Sequence, residues 1–501
     1  MKSTIDRGDL VTGKAVDTPT SIPTRYKMTT DIPAGIITPD RVETRLGTLR
    51  FFDGLPDEAT VQAVYDNLDF QRAVQAFLTS LPAAALDAVR TGIRTFGPDN
   101  QTVLISESLL DSRTLFFGAV NTETIYTLVW LDTKEGPLVI EIPPHVLGMI
   151  NDFWGRYVAD LGTVGPDRGA GGKYLLIPPG YTGAVPDGYF VLTSRTHGNV
   201  FFLRGFIAEG NPRPAVENTK QHFRVYPLDR AADPPTMTFV NFSGAIFSTV
   251  PTTDASFFEH VATVVQEEPL DTIDPETRGL LAAIGIRKDK PFAPDERMQR
   301  ILADAAAVGT ATGRTLLFST RDRGVYYYPN SAWKMSWTGN DCQFSPGGML
   351  DLDSRARYFF LAWGVSPAVS VKMVGAGSQY AFTEHDAAGH YLDGGRTYRL
   401  HLPPNIPVKD FWSVVVYDTQ TRSLLQTDQQ FPSVSSQKQD LFVNPDTSVD
   451  VYFGPEPPVG KESNWVQTVP GKGWWTYLRL YGPLEPWFDQ SWRPGEIEQV
   501  D

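Results

Sequence analysis

Apolar positions change their spacing several times along the chain. Residues 46–52 (LGTLRFF) read as a short strand closed by Asp53-Gly54. From 57 to 89 apolar residues recur every three to four positions, predicting a helix that Pro82 should break. Strand-like runs follow at 102–120, 121–132, 174–177, 189–193 and 200–207, and residues 208–232 are polar and rich in turn formers. Helical spacing returns at 255–267, 275–285 and 295–308. There Phe257, Val261 and Val264, and then Ile301 and Ala305, form faces that need a partner surface, expected between or beside the β-domains. From 316 the pattern is strand-like again, at 359–363, 380–382, 398–402, 413–418, 448–453 and 474–481. The predicted organisation is helix, β-domain, helix, β-domain.

One motif occurs twice. Residues 136–154 read GPLVIEIPPHVLGMINDFW and residues 395–412 read GRTYRLHLPPNIPVKDFW. Each has a turn glycine, a strand-like run, a Pro-Pro pair and an Asp-Phe-Trp triplet. A prolyl pair cannot donate to a sheet ladder, so the chain must leave its sheet there. Strand, proline corner, crossover and aromatic strand is how sandwiches and jelly rolls change sheets. The repeat predicts two domains with the same strand order, with Trp154 and Trp412 on equivalent strands.

The fold class expected is mainly β with helical additions: two jelly-roll-like β-sandwich domains joined by a helical connector. The divisions are an extended arm at 1–45, a helical segment at 46–95, a first sandwich at 96–235, the connector at 236–315 and a second sandwich at 316–501. A chain of 501 residues exceeds one core, and 41% hydrophobic with 12% aromatic content supports several. The formal net charge of −14 argues against nucleic acid and anionic membrane as partners. A small-molecule ligand and a homo-oligomer are expected instead. The single cysteine, Cys342, excludes an intrachain disulfide and a multi-thiolate zinc site. The N-terminus has no apolar signal-type stretch, which fits a cytoplasmic protein or a periplasmic one already processed.

Few motifs carry chemistry. There is no G-x-S-x-G elbow, and GPDRGAGGKY (165–174) fails as a phosphate loop because Tyr174 stands where Ser or Thr is needed. The stretch TEHDAAGHYLDG (383–394) could supply metal ligands, but it reads equally as hairpin turns; no metal is assigned and no cofactor is identified. Asn121, Thr122, Glu123 and Thr124 are different: four hydrogen-bonding side chains stand directly before an apolar strand, which a strand does not require. A site lip is expected there. Glu123 is the candidate acid or base, Tyr126 a phenolic donor, and Asp152 and Arg204 their catalytic partners. Asn121, Thr122, Thr124, Trp154 and Arg156 are candidate substrate contacts. The alternative is a structural polar network at the start of the strand.

The stretches TPDRVETRLGTLRFFDGLPDEATVQAVYDNLDFQRAVQAFL, NTETIYTLVWLD, IPPHVLGMINDFWGRYVADLG and GGKYLLIPPGY resemble the bacterial domain of unknown function 1254 with its usual upstream segment. GGRTYRLHLPPNIPVKDFWSVVVYD, NPDTSVDVYFGPEPP and NWVQTVPGKGWWTYLRLYGPLEPW resemble the domain of unknown function 1214, with which it is commonly paired. The resemblance implies two jelly-roll-type sandwiches, one similar to viral-capsid jelly rolls, and implies no activity. TQTRSLL (419–425) and NWVQTVP depart from the usual pattern. The expected function is an enzyme, a hydrolase of a small organic substrate, with its site in the first β-domain or the crevice between domains. The rivals are a ligand- or carbohydrate-binding sandwich using Trp130, Trp154, Trp412 and Trp465 as stacking faces, or an assembly protein.

Overall fold

The computed structural model describes residues 26–208 and 210–500, so the first part of the expected arm, residues 1–25, lies outside the described residues. A small antiparallel sheet of β1 (Arg41–Thr44), β2 (Gly47–Phe52) and β3 (Leu55–Pro56) leads into α1 (Glu58–Arg94). Asp57 caps α1 by accepting from the Thr60 N–H. The helix does not break at Pro82. That residue sits in the fully buried stretch 80–90, where burial outweighs the ~3 kcal/mol that an interior proline costs.

The first β-unit follows: β4 (Thr102–Ile105), β5 (Thr124–Asp132), β6 (Leu138–Ile142), β7 (Val146–Asp152), β8 (Tyr157–Gly162), β9 (Gly172–Ile177), β10 (Phe190–Thr193) and β11 (Gly198–Phe206). The polar stretch after it is not a loop: it holds α2 (Arg213–His222) and β12 (Arg224–Pro227), and β13 (Thr238–Asn241) completes the unit. Three helices come next, α3 (Phe257–Glu267), α4 (Pro275–Ala283) and α5 (Glu296–Phe318). Two expectations fail just beyond. The return to strand at 316 is still helix α5, and the aromatic run 359–363 is the end of α6 (Leu352–Leu361), whose N-cap Asp351 accepts from the Ser354 N–H. A short aromatic run fits strand and buried helix equally; the cap and the packing decide.

After α7 (Pro367–Ser370) the second β-unit begins: β14 (Ser378–Thr383), β15 (Thr397–Leu402), β16 (Val408–Asp418), β17 (Ser433–Ser435), β18 (Val449–Gly454), β19 (Trp465–Gln467) and β20 (Trp474–Pro483). A short α8 (Glu485–Phe488) and β21 (Ile497–Val500) end the chain. The protein is thus mainly β, with several sheets and, among the described residues, eight helices.

The two β-units share one strand plan. In the first, a four-stranded sheet has the order β10-β9-β6-β12 and a six-stranded sheet β13-β4-β5-β11-β7-β8. In the second the orders are β19-β18-β15-β21 and β14-β20-β16-β17. Taking eight strands in chain order from β5 and from β14, every pairing recurs, including the one parallel pair, β9 with β10 and β18 with β19. In both units the Pro-Pro pair is where the chain changes sheet, between β6 and β7 and between β15 and β16. The Asp-Phe-Trp triplets, however, are not equivalent. Asp152 ends β7 and Trp154 lies in the turn beyond it, whereas Trp412 sits near the start of β16, paired with Leu480. The strands correspond; the triplets fall at different heights on them.

Each β-unit has its own core, Val103, Leu131, Ile140, Phe201 and neighbours in the first, Leu400, Val414, Val451, Leu478 and neighbours in the second. The largest core lies between the units. It joins the outer face of the six-stranded sheet (Tyr126, Leu128, Trp130, Phe202), that of β14-β20-β16-β17 (Tyr380, Phe382, Tyr417, Trp475, Tyr477), and helices α1, α3, α5 and α6. Gly309 and Gly313 let α5 approach closely, since a Cβ on them would lie 2.5 Å from Phe77 on α1 and from Phe360 on α6.

Glu268, at the end of α3, locks this helical layer to the first β-unit by accepting from the backbone N–H groups of His197 (2.6 Å) and Gly198 (2.8 Å). Burial pushes its pKa up to about 7 despite those donors, and burial also pushes Asp160 up to about 6. Both folded values exceed the unfolded ones, so the stability these groups contribute is complete below about pH 4 and is lost as pH rises through about 6 and 7. The melting temperature should therefore rise between pH 8 and pH 5, and Glu268→Gln should flatten that rise. Parallel pH curves for wild type and variant would refute the assignment.

Candidate functional site

The polar block 121–124 does not open into a cavity; it docks one β-unit on the other. The Asn121 Nδ2 donates to the Tyr481 hydroxyl on β20, and Asn121 Oδ1 accepts from Glu123 N (3.1 Å), Thr124 N (3.1 Å) and Thr124 Oγ1 (2.9 Å). The Thr122 hydroxyl lies 2.8 Å from that of Ser433 on β17 and donates to Glu123 Oε1 at 2.5 Å. Tyr126 accepts from the Asn121 N–H through its hydroxyl at 2.7 Å.

Asp152, Trp154 and Arg156 lie elsewhere. Asp152 is at the opposite end of its sheet from Tyr126, five positions along β11, since Asn199 pairs with Asp152 and Arg204 with Tyr126. Its carboxylate closes the β7–β8 turn, accepting from the Trp154 and Arg156 N–H groups and from Arg156 Nε at 2.7 Å. These three residues line a cleft of about 1620 Å³ with Arg72, Arg278 and Arg355. Burial, then the neighbouring Arg156 charge, pushes the Arg355 pKa down to about 10. Trp130, Trp154 and Trp412 are buried, so they offer no stacking face. The 383–394 stretch forms turns around a buried ion pair of Glu384 with Lys334 (2.5 Å), and among the described residues no three His, Cys, Asp or Glu side chains gather as a metal site would require.

Arg204 is where the sequence candidates meet an enclosed space, and Arg479 is its unforeseen counterpart. Arg204 on β11 pairs across the ladder with Tyr126 on β5 and Leu147 on β7. Arg479 on β20 pairs with Tyr380 on β14 and Ser413 on β16. Given the shared strand plan, these are the same lattice positions: each unit contributes one cross-strand Tyr–Arg pair, and the two pairs face each other in the layer between the units. No carboxylate accompanies them. Arg204 Nη1 donates weakly to the Tyr380 hydroxyl (3.4 Å), its Nε is buried without a partner, and its guanidinium lies 4.9 Å from the Phe202 ring centre. Arg479 donates to the Ala119 carbonyl, to Tyr417 (3.0 Å) and to Tyr481 (3.3 and 3.2 Å), and it covers the Tyr380 ring at 4.6 Å.

Between the pairs is a cavity of about 40 Å³, lined by Arg204, Arg479, Tyr380 and Tyr477 and by Phe202, Trp363 and other apolar groups. That is room for a few waters, or for a two- or three-carbon acid. Burial pushes the phenols of Tyr417, Tyr477 and Tyr481 up, Tyr477 to about 12. Tyr380 goes the other way: burial acts to raise it, but Arg204 and Arg479 together outweigh burial and hold it below its ordinary value. Its hydroxyl lies 2.5 Å from that of Ser378, two residues back on the same face of β14. The sequence signal for this site was present: T-x-Y at 124–126 and S-x-Y at 378–380 each open a strand that pairs with a buried arginine strand.

Two family models match the chain, "Protein of unknown function (DUF1254)" over residues 100–227 and "Protein of unknown function (DUF1214)" over residues 377–485. Both domains thus occur in this one chain, the pairing that its sequence resembles. The DUF1254 match contains the eight strands β5–β12, and the DUF1214 match contains β14–β20, so each domain supplies one Tyr–Arg pair. Among solved structures, the chain is similar to the VPA0106 protein from Vibrio parahaemolyticus, with 18% identity and a TM-score of 0.53 over 87% of this chain and 100% of that one, a likeness of fold. An uncharacterized protein from Burkholderia cenocepacia matches at 12% identity and a TM-score of 0.40, over 88% and 97% of the two chains. No curated protein matches the chain.

The docking role of the polar block is testable by urea denaturation. Asn121→Ala strands several buried donors, at about 1–3 kcal/mol for each group left unpaired, so a loss of at least about 2 kcal/mol is expected. Glu123→Gln keeps an acceptor for Thr122 and should cost only about 1 kcal/mol. A larger loss in Glu123→Gln than in Asn121→Ala would reverse the assignment.

Proposed function

We propose that the DUF1254–DUF1214 pair binds a small organic acid anion in the chamber between its two Tyr–Arg pairs. One observation carries the reading: two buried guanidiniums share a cavity, and the groups that face them are tyrosines rather than carboxylates. An uncompensated buried charge costs several kcal/mol, and folded chains neutralise it by pairing. A carboxylate between Arg204 and Arg479 would supply the missing charge and a partner for Arg204 Nε, while Phe202 and Trp363 would meet a short apolar body. The 1620 Å³ cleft suits an approach route. Phe344 on its wall lies 5.6 Å, ring to ring, from Tyr358 on the chamber wall. The architecture we infer around the chamber is a pair of jelly-roll-like sandwiches with the 257–318 helices as connector.

Hydrolysis of an ester of such an acid is the second reading, favoured by the Ser378–Tyr380 hydroxyl pair beside the two guanidiniums. It predicts turnover of methyl acetate that Ser378→Ala abolishes.

Acetate binding followed by calorimetry and thermal shift tests the first reading. Arg204→Met should raise the ligand-free stability, by about 1–4 kcal/mol if it behaves as other apolar replacements of buried charge. It should also abolish the stabilisation by acetate. An acetate response unchanged in Arg204→Met, or no response in wild type, would overturn the proposal.

A further inference from the structure

The two Tyr–Arg pairs are equivalent in the ladder but not in surroundings. The Tyr126 hydroxyl is already engaged by the Asn121 N–H. Tyr380, unlike Tyr126, lines the cavity; its hydroxyl accepts from Arg204 Nη1 at 3.4 Å and lies 2.5 Å from the Ser378 hydroxyl, and its ring lies under Arg479. The charged groups facing it are Arg204 from β11 and Arg479 from β20, both cationic. Tyr477 and Tyr481 on β20, Tyr358 on α6 and Tyr327, whose hydroxyl donates to the Tyr380 carbonyl, are the titratable groups beside it, and none of these is a carboxylate or histidine. An empty chamber therefore holds two positive charges and one acid positioned to neutralise one of them.

Resting on the anion-binding reading, we propose that Tyr380 is the acid–base residue of this chamber: at pH above its transition it stands as a phenolate beside Arg204 in the empty site, and it takes one proton when an organic anion enters. The exchange balances. Before binding the chamber carries two guanidiniums and one phenolate. Afterwards it carries two guanidiniums and one bound carboxylate, the proton having come from solvent to the Tyr380 oxygen. The bound state thus places a neutral phenol, a proton donor, against the newly arrived acid, and release of the anion returns the proton. The lowered Tyr380 phenol supports the same order of events, since ionisation there precedes that of the other chamber tyrosines. The arrangement gives the site a built-in general acid for any chemistry performed on the ligand.

The linkage fixes the sign of the pH dependence. Above the Tyr380 transition an anion must bring a proton with it, so acetate affinity should fall about tenfold per pH unit there and level off below it. Tyr380→Phe keeps the ring under Arg479 and removes the ionisable oxygen; its acetate affinity should lose the slope. Two measurements decide. Ultraviolet difference titration should show one tyrosinate appearing ahead of the rest in wild type, absent in Tyr380→Phe and delayed by saturating acetate. Calorimetry in two buffers of different ionisation heat, above that transition, should show close to one proton taken up per acetate in wild type and none in the variant. Acetate binding without proton uptake, or with the same pH slope in Tyr380→Phe, overturns the role of Tyr380 and leaves the anion site standing. No acetate binding in wild type at any pH overturns both, even where the early tyrosinate is seen.

Discussion

A guanidinium removed from water must find an opposing charge or an acceptor for each of its N–H groups, and the layer between the β-units holds several, Arg204 and Arg479 among them, that find only part of that. Everything between the β-units is arranged around this constraint. Arg479 is met by the Ala119 carbonyl and by the hydroxyls of Tyr417 and Tyr481, and those tyrosines are fixed by stacking on Trp475 (4.3 Å) and Phe411 (4.2 Å). The segment 118–124 exists in its docked form because its carbonyls and Asn121 take up polar groups of the opposite unit: Ala119 accepts from Arg479, Val120 from Tyr417, and Asn121 meets Tyr481. The layer is rigid where it must satisfy Arg479 and incomplete where it faces Arg204.

The sheets explain why such a layer can exist. All ten positions of β20 and eight of nine in each of β5 and β11 are buried, so these strands have no wet face at all. A strand buried on one side by its own unit and on the other by a second unit reads as a continuous apolar run, and any polar residue in it carries a cost that must be met locally. Tyr126, Arg204, Tyr380, Tyr477 and Arg479 are among the polar residues that such strands point into the shared layer.

Much of the fold was legible. The helix at 57–89, the three helices after 255 and the sheet change at each Pro-Pro pair follow from spacing and from the chemistry of proline. The aromatic run 359–363 was not, because strand and buried helix use the same residues, and the α5 boundary was lost for the same reason. The Asp-Phe-Trp match suggested an equivalence that the ladders do not have; the true equivalence, Tyr126–Arg204 with Tyr380–Arg479, requires pairing strands some 80 and 100 residues apart, which periodicity cannot see. For the site, the polar block drew attention to the correct junction and to Arg204. Which residues face a cavity depends on the partner sheet, and that information lies in neither strand alone.

The division of the chamber between two halves has a consequence for synthesis. Arg204 and Arg479 are 275 residues apart in the chain, and ribosomes add about 5–20 residues per second. The first unit is complete only at Asn241, 233 residues before β20 opens at Trp474, so part of its outer sheet face stands uncovered for roughly 12–47 s. During that interval Phe202, which later packs on Trp363, faces solvent or whatever else is nearby, and a second nascent chain offers the same surface. Helix α1, made before the sheet, is the earliest cover within the chain itself, its Arg90 lying over Trp130, and α3 and α5, made in the meantime, extend that cover, which gives their place between the two β-units in sequence a role in protecting the half-made protein.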